Sequence, residues 1–423
     1  MPRISKDLEN FKILFNDIDD VNEELIELMD IDAKFIYDLN ENISYIVDER
    51  IDGYVIHSLE SIVLSVIFAT LANCNTFVEI HLFMKRHFDW LNKHIKFDNG
   101  LPSISTVKRV MAFINPKELE NICLQSLKAF LKNYDIYRNK YFKINDVKSM
   151  DGKVAISSER NSSKEGSIAK MNAMSLYSLK NDMCEATQFI EEKSNEIPAG
   201  IDLLKQVNIK DCVIVFDAMS TQRKTIDYIV ENKGFYVAPV KKNQGTLEED
   251  IRMYFEDEEL LEKAKKKGHY IVEEKSHGTY EKREYIFTND IDWLYNKNKW
   301  SGLKSIGVAI RTYQNSKGEI TEDRRYFITN IYYEYIDLIS KCIRGEWGIE
   351  NKLHWYLDAV FKEDASTSFL KNSQKNLNII RKFCLKILKL FKEQSKLSMN
   401  SIRFIISMDF ETEIEKIINT LYE

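Results

Sequence analysis

Proline and glycine are scarce in this chain of 423 residues, at 5 and 14 copies. So few breakers leave no room for a long flexible linker, and no low-complexity tract or internal repeat is present. The six cysteines (Cys74, Cys123, Cys184, Cys212, Cys342 and Cys384) are scattered, with no C-x-x-C pair. That spacing argues against a zinc site or a disulfide framework and fits a reducing cytoplasm. No apolar run is long enough to span a bilayer, and the longest, Ser61 to Cys74, reads as a buried helix. The start, Met1 to Lys6, leads into acidic amphipathic sequence rather than a signal core. A soluble, cytoplasmic protein with no membrane partner is expected.

Positive charge is also lacking. Lys and Arg total 60 against 66 Asp and Glu, a formal net charge of −6, which counts against a uniformly basic nucleic-acid surface. The acid is unevenly placed: residues 7–50 are rich in it, whereas Lys371 to Lys396 carries many cations and few acids. A polyanion partner is allowed by that local charge but not indicated by the total. The 44% hydrophobic and 30% charged content is that of a soluble globular protein, long enough for roughly two to four folding units.

Periodicity divides the chain. Residues 1–135 read as helical, with apolar residues at three- and four-residue spacing through Leu59, Ile62, Val63, Val66 and Ile67 and again through Leu119, Ile122, Cys123 and Leu127. After the turn at Asn99-Gly100-Leu101-Pro102, Ser103 or Ser105 can cap a helix carrying Lys108 and Arg109. That helix reads either as a DNA-reading element or as packing with a solvated basic face. From residue 141 the period becomes extended. Ala173 to Leu179 and Cys184 to Ile190 form a hairpin pattern, and Cys212 to Phe216 and Phe235 to Val240 are apolar runs suited to strands buried on both faces. Helices are expected at Ile201 to Val207 and Thr221 to Asn232, giving an α/β unit over residues 140–245 with parallel neighbours. Residues 246–266 read as one charged helix. Short strands within 270–330 make residues 246–332 a β-rich block, and residues 333–395 are helical, ending in the basic helix Leu377 to Phe391. A tail, 396–423, closes the chain.

Three carboxylates stand out. Asp217 closes an apolar strand, where open α/β sheets place functional groups, though Ser220 and Thr221 make a helix cap an equal reading. Asp151-Gly152 reads as a hairpin turn, or as a carboxylate beside backbone that a ligand can approach closely. Glu346, Glu350, His354 and Asp358 recur every fourth residue as one polar stripe, flanked by Trp347, Ile349, Leu353, Trp355 and Leu357. Such a stripe is costly to bury without a partner. Oxygen ligands from Asp151, Asp217 and Glu350 would suit Mg²⁺ or Mn²⁺ more than zinc. Two such ions can drive an in-line phosphoryl displacement.

The order of segments resembles the DDE transposases, in the insertion-sequence branch of the H-repeat-associated proteins, from about residue 55 to 390. Gly100-Leu101-Pro102-Ser103 with Arg109-Val110 looks like the helical associated domain. Met150-Asp151-Gly152-Lys153 resembles the first catalytic segment, and Phe216-Asp217-Ala218-Met219, preceded by Glu192 to Ile197, resembles the second. Lys241-Lys242-Asn243-Gln244, then His277-Gly278, Glu281, Arg283, Trp293-Leu294 and Arg325 to Ile328, follow in the family's order. Arg344-Gly345, Trp347 to Asn351, Leu353-His354-Trp355, Leu357-Asp358 and Glu363-Asp364-Ala365 match the segment bearing the glutamate.

The resemblance implies an α/β, ribonuclease-H-like catalytic core with a β-rich insertion, preceded by an all-helical N-terminal domain. It implies Asp151, Asp217 and Glu350 as catalytic metal ligands for Mg²⁺, with Mn²⁺ substituting. Lys108, Arg109, Lys153, Lys241, Asn243, Gln244, Arg344 and His354 would bind DNA or position it. The activity implied is cleavage and strand transfer at element ends, on terminal inverted repeats and target DNA, by a homodimer. The sequence departs from the family pattern at Val154 to Ser157 (usually Thr-Leu-Arg-Gly), Ile104-Ser105 (His-Asp), Lys242 (Gly), Thr279 (Arg) and Glu346 (His). The second reading is therefore an inactive or domesticated copy that binds DNA sequence-specifically without cutting it. A third is a generic metal-dependent nuclease or phosphatase.

Overall fold

The computed structural model describes residues 31–51, 53–155, 170–190, 196–276, 279–366, 370 and 372–422. The matched segments Glu192 to Asn195 and His277-Gly278, and the departures at Ile156 and Ser157, lie outside the described residues. The chain divides into two compact units, one of Met1–Val110 with Ile387–Glu423 and one of Met111–Lys386.

The larger unit is built on one nine-stranded mixed sheet. In chain order its elements are β1 (Asp146–Val154), β2 (Asn172–Ser178), β3 (Met183–Ile190), α1 (Glu196–Leu204), β4 (Cys212–Phe216), α2 (Arg223–Glu231), β5 (Phe235–Val240), α3 (Thr246–Glu256), α4 (Glu258–Lys267), β6 (Gly268–Ser276), β7 (Thr279–Thr288), β8 (Ser305–Gln314), β9 (Ile320–Thr329) and α5 (Ile336–Ile349). The spatial order is β3-β2-β1-β4-β5-β9-β8-β7-β6. β1, β4 and β5 are mutually parallel neighbours, and the remaining pairs are antiparallel.

Strand periodicity explains the central layer. Successive side chains point to opposite faces, so Ile214 and Phe216 of β4 enter one core with Leu203, Ile226 and Ile229 of α1 and α2. Val213 and Val215 enter the other, with Leu338, Ile339 and Cys342 of α5. An apolar run with no polar alternation therefore marks a strand covered on both sides.

Three expectations change in the larger unit. The β-rich block is not a separate body, because β9 pairs antiparallel with β5 (Tyr326↔Val240, Ile328↔Ala238) and extends the same sheet. A lone β5 edge would expose unpaired backbone groups, and the later strands cover it. The single helix expected over 246–266 is two, broken at Asp257, whose carboxylate accepts from Leu260 N–H at 2.9 Å and caps α4. The basic helix extends over Ser373–Glu393, but Arg381, Lys382 and Lys386 are buried rather than offered to a polyanion. Lys382 donates to Ser175 (3.0 Å) and Thr187 (2.8 Å), Lys386 to the Asn181 carbonyl (2.7 Å), and Arg381 pairs with buried Glu363.

The smaller unit is helical: Ile31–Ser44, Leu59–Leu71, Phe77–Arg86, Phe88–His94, the start of Ile104–Phe113, Met399–Met408 and Phe410–Tyr422. Residues 396–423 are thus not a tail but part of this unit's core. Phe410 meets Phe68, Phe83, His87 and Trp90 with ring centroids 4.8–5.9 Å apart, and fully buried Arg403 donates to the Thr70 carbonyl at 2.7 Å. Leu59–Leu71 is buried along nearly its whole length, as expected. Ser103 accepts from Thr106 N–H at 3.1 Å, which settles the cap between the two serines. Among the described residues no helix is long and apolar enough to cross a membrane, and all six cysteines are free.

One glycine sets how closely α5 approaches β1. A Cβ on Gly345 would lie 2.6 Å from Leu179 Cδ2 and 3.6 Å from Val147 Cγ1. One residue later, the Glu346 carbonyl accepts from Ser149 Oγ at 3.0 Å. Overpacking a tight contact costs about 1–3 kcal/mol. Gly345→Val is accordingly expected to lower the melting temperature by several degrees, and Leu179→Ala in the same chain to recover part of the loss. Additive losses in the double variant would show that the two positions do not meet.

Candidate active site

The parallel register of β1 and β4 brings two aspartates together. Met150 is paired with Phe216, and each is followed at once by an aspartate. Met150 and Phe216 point into the core beneath α1 and α2, so alternation turns Asp151 to the opposite face, beneath α5. Asp151 lies within β1, paired with Ser175, so it is no hairpin turn. Its Oδ1 accepts from Gly152 N–H at 2.8 Å. Asp217 leaves its strand into a turn and accepts from Ser220 N–H at 2.9 Å, so the capping reading describes one of its oxygens.

The loop after Asp217 is strapped from outside. Asn243 Nδ2 and Gln244 Nε2 each donate to the Ala218 carbonyl at 2.9 Å, and Gln244 also reaches the Thr221 carbonyl at 3.1 Å. Both residues were expected on DNA, but their amides are engaged in holding this loop. Lys241 beside them is exposed.

The third carboxylate comes from helix. After α5 the chain makes one π-helical turn, Glu350–His354, in which Trp355 N–H donates to the Glu350 carbonyl five residues back. The wider turn brings side chains four apart closer to one side, and such turns gather at functional sites. His354 is 5% exposed and Glu350 63%. His354 Nδ1 stands 3.4 Å from Asp151 Oδ2 and 3.6 Å from Glu350 Oε1. Donor atoms of Asp151, Glu350 and His354 all lie within 4.8 Å of one another, whereas Asp217 joins through the strand register. Hydrogen bonding from His354 holds the Glu350 carboxyl below its usual range, against the effect of burial. Burial alone would lower the His354 pKa, and the two carboxylates reverse this and raise it. Converging carboxylate oxygens beside an imidazole nitrogen fit a divalent cation.

The other expected residues scatter. Lys153, expected on DNA, is 12% exposed and lies 2.7 Å from Asp358, 3.7 Å from Glu363 and 3.2 Å from Asp364, so its charge is shared with three acids. Arg344 lines a groove of about 150 Å³ together with Arg283, Arg311, Arg325, Trp347 and Asp323. Of the acids that pair with those arginines, Asp323 lines it beside Arg325, 3.3 Å away, whereas Glu274, Glu281 and Glu346 do not. Arg325 also sits over the Trp347 ring, 5.2 Å from its centroid. Sequence reading found Arg344 but did not assign Arg283, Arg311, Arg325 or Trp347 to binding, because strand pairing alone brings these segments together: Arg283 faces Arg311, and Arg325 follows the residue pairing of β8 with β9. Lys108 and Arg109 belong to the smaller unit, where Arg109 is exposed and Val107 and Val110 are buried.

Glu346 enters the site as a fourth acid, 17% exposed, with Arg325 at 4.0 Å. Burial pushes its pKa up to about 7, with Asp217 and Asp151 adding to the rise and Arg325 and Lys241 opposing it. The folded protein therefore keeps a proton here that the unfolded chain releases, so stability falls as pH rises from about 4.5 to about 7. Glutamine cannot ionise and escapes that loss. In metal-free protein, Glu346→Gln is expected to match the wild-type melting temperature near pH 4 and to exceed it increasingly up to pH 8. A constant difference across that range would rule out the burial effect.

Comparison with known proteins gives the site its setting. A family model described as "Transposase DDE domain" matches residues 145–386, and one described as "DDE_Tnp_1-associated" matches residues 41–126. Two proteins of Escherichia coli (strain K12), "Putative protein YbfL" and "H repeat-associated putative transposase YhhI", are each 31% identical over 365 residues, 84% of this chain and 92% of theirs. "Putative transposase YncI" of Escherichia coli O157:H7 is 29% identical over 84% of this chain and 88% of its own. Among solved structures, a piggyBac transposase synaptic complex with hairpin DNA aligns over 94% of this chain and 80% of its own, at 11% identity and a TM-score of 0.38. With a family model spanning more than half of its length and relatives matched over most of theirs, the chain belongs to the DDE transposases.

Proposed function

We propose that this transposase cuts DNA at the ends of an insertion sequence and transfers the freed strand, with Asp151, Asp217 and Glu350 as its catalytic carboxylates. The carrying observation is the parallel register that sets Asp151 beside Asp217 under the helix that continues into Glu350. The strand order supports a ribonuclease-H-like core: the β1–β3 meander continues through β4 and β5, joined by helical crossovers, with an aspartate directly after each of the paired residues Met150 and Phe216. Asp151, Asp217 and Glu350 would hold Mg²⁺, with Mn²⁺ able to substitute. When bound, two such ions lower the pKa of an attacking water or 3′-hydroxyl and offset charge on the leaving oxygen.

The chain's own groups supply the rest. His354 keeps Asp151 and Glu350 in place, and the Asn243 and Gln244 amides keep the Asp217 loop in place. Arg344, Arg311 and Arg325 offer guanidinium forks for phosphate oxygens in the groove beside the stripe. Exposed Lys241 adds charge at the same end of the sheet. Residues 1–135 would recognise the terminal inverted repeats through Lys108 and Arg109, and the protein would act in the cytoplasm as a homodimer on DNA. The non-cutting alternative is disfavoured, since all three carboxylates are present.

Two tests follow. With a duplex carrying the ends of its own element, the full chain is expected to nick in Mg²⁺ or Mn²⁺ and to stop in excess EDTA. Asp217→Asn should slow nicking at least a hundredfold, and wild-type nicking by that variant would remove Asp217 from the mechanism. In EDTA, where binding is read without cleavage, Arg344→Gln should weaken DNA affinity across sequences and lessen the slope of log K against log salt by about one. An unchanged slope would take the groove off the DNA path.

A further inference from the structure

We infer that His354 Nδ1 is itself a metal ligand, so that one cation site of this protein is Asp151, Glu350 and His354 rather than carboxylates alone. The inference rests on the metal-dependent reading above. His354 is one-twentieth exposed and sits between two carboxylates, with Nδ1 at 3.4 Å from Asp151 and 3.6 Å from Glu350. A charge-assisted N–H···O bond closes to about 2.7–2.9 Å, and a single N–H cannot point well at two acceptors. Both contacts are longer than a charge-assisted hydrogen bond, so in the metal-free chain Nδ1 is shared loosely between two acids.

In the metal-free chain a proton on His354 offsets the two carboxylates, and a divalent cation among the three atoms, which lie within 4.8 Å of one another, would replace it. The π-helical turn brings Glu350 and His354 to one side of their helix, toward Asp151 on β1. On the far side of the ring, Nε2 is buried and has no hydrogen-bond partner among the described residues. Metal-bound imidazoles usually donate that second N–H to an acceptor. Among the described residues the polar contacts of the ring are those on the Nδ1 side.

Coordination uses the neutral ring with its proton on Nε2. The chemical consequence is selectivity. Mg²⁺ favours an all-oxygen octahedral shell, whereas imidazole suits first-row ions, so a nitrogen in the set tilts the site toward Mn²⁺ and Co²⁺. A carboxylate-only set would produce a smaller tilt.

The test uses the metal-free full chain titrated with less than one equivalent of Mn²⁺. Electron spin echo envelope modulation on the bound Mn²⁺ should show ¹⁴N coupling from one imidazole. His354→Asn should lose that coupling and weaken Mn²⁺ binding at least about tenfold, with a smaller loss for Mg²⁺ by calorimetry. Bound Mn²⁺ with no ¹⁴N coupling in the wild type would overturn the inference and leave the carboxylate reading standing. Failure to bind Mn²⁺ at all would overturn both. The wild-type spectrum decides the matter even if the variant misfolds.

Discussion

Four carboxyl groups gather at one end of two parallel strands, and much of the larger unit answers to the cost of holding them there. Asp151 and Asp217 are fixed by register, Glu346 and Glu350 by one helix and its π-helical turn. Like charges this close disfavour one another's ionisation, and burial adds to the effect. Glu346 records the strain most directly, with a pKa raised to about 7 by burial and by both aspartates. The opposing cations come from three directions: His354 on the helix, Lys241 at the end of β5 and Arg325 on β9. An acidic constellation of this kind is stable in the folded chain only as far as those neighbours and a bound cation offset it.

The same accounting resolves the conflict between a net charge of −6 and a DNA substrate. Total charge measures the whole surface, whereas phosphate contact is local. The richest basic segment contributes little to any outer surface of its unit, because Arg381, Lys382 and Lys386 satisfy buried acceptors. Arginines separated widely in sequence instead meet across antiparallel strands, with Glu274 and Glu281 behind them. Those acids keep like-charged cross-strand neighbours such as Arg283 and Arg311 from destabilising the sheet.

Much of the central architecture was legible in sequence because apolar runs report two-sided burial: Cys212–Phe216 and Phe235–Val240 emerge with the expected bounds. The three carboxylates were legible through their segments. What sequence could not carry is pairing. Nothing along the chain says that β9 joins β5, so the later strands looked like a separate block and the groove was invisible. The break at Asp257 was readable from its capping chemistry but lay within a continuous charged pattern. The π-helical turn escaped because a spacing of four reads as ordinary helix whether or not the turn widens.

A matched motif identifies a segment, and the structure then assigns each residue its contact. Lys153, Asn243 and Gln244 all stand in matched segments and all suggest nucleic acid by residue type. Yet Lys153 binds the acids of the segment that follows the glutamate helix, two residues from Asp151, and the two amides tie the Asp217 loop. Their placement next to the acids is what ties their identity to function. A lysine in that clasp offsets three carboxylates that would otherwise add to the four at the site, and an amide pair fixes a loop without adding charge. Residues that brace an acidic centre and residues that would touch a substrate stand side by side in the matched segments, so motif matching alone cannot tell the two apart.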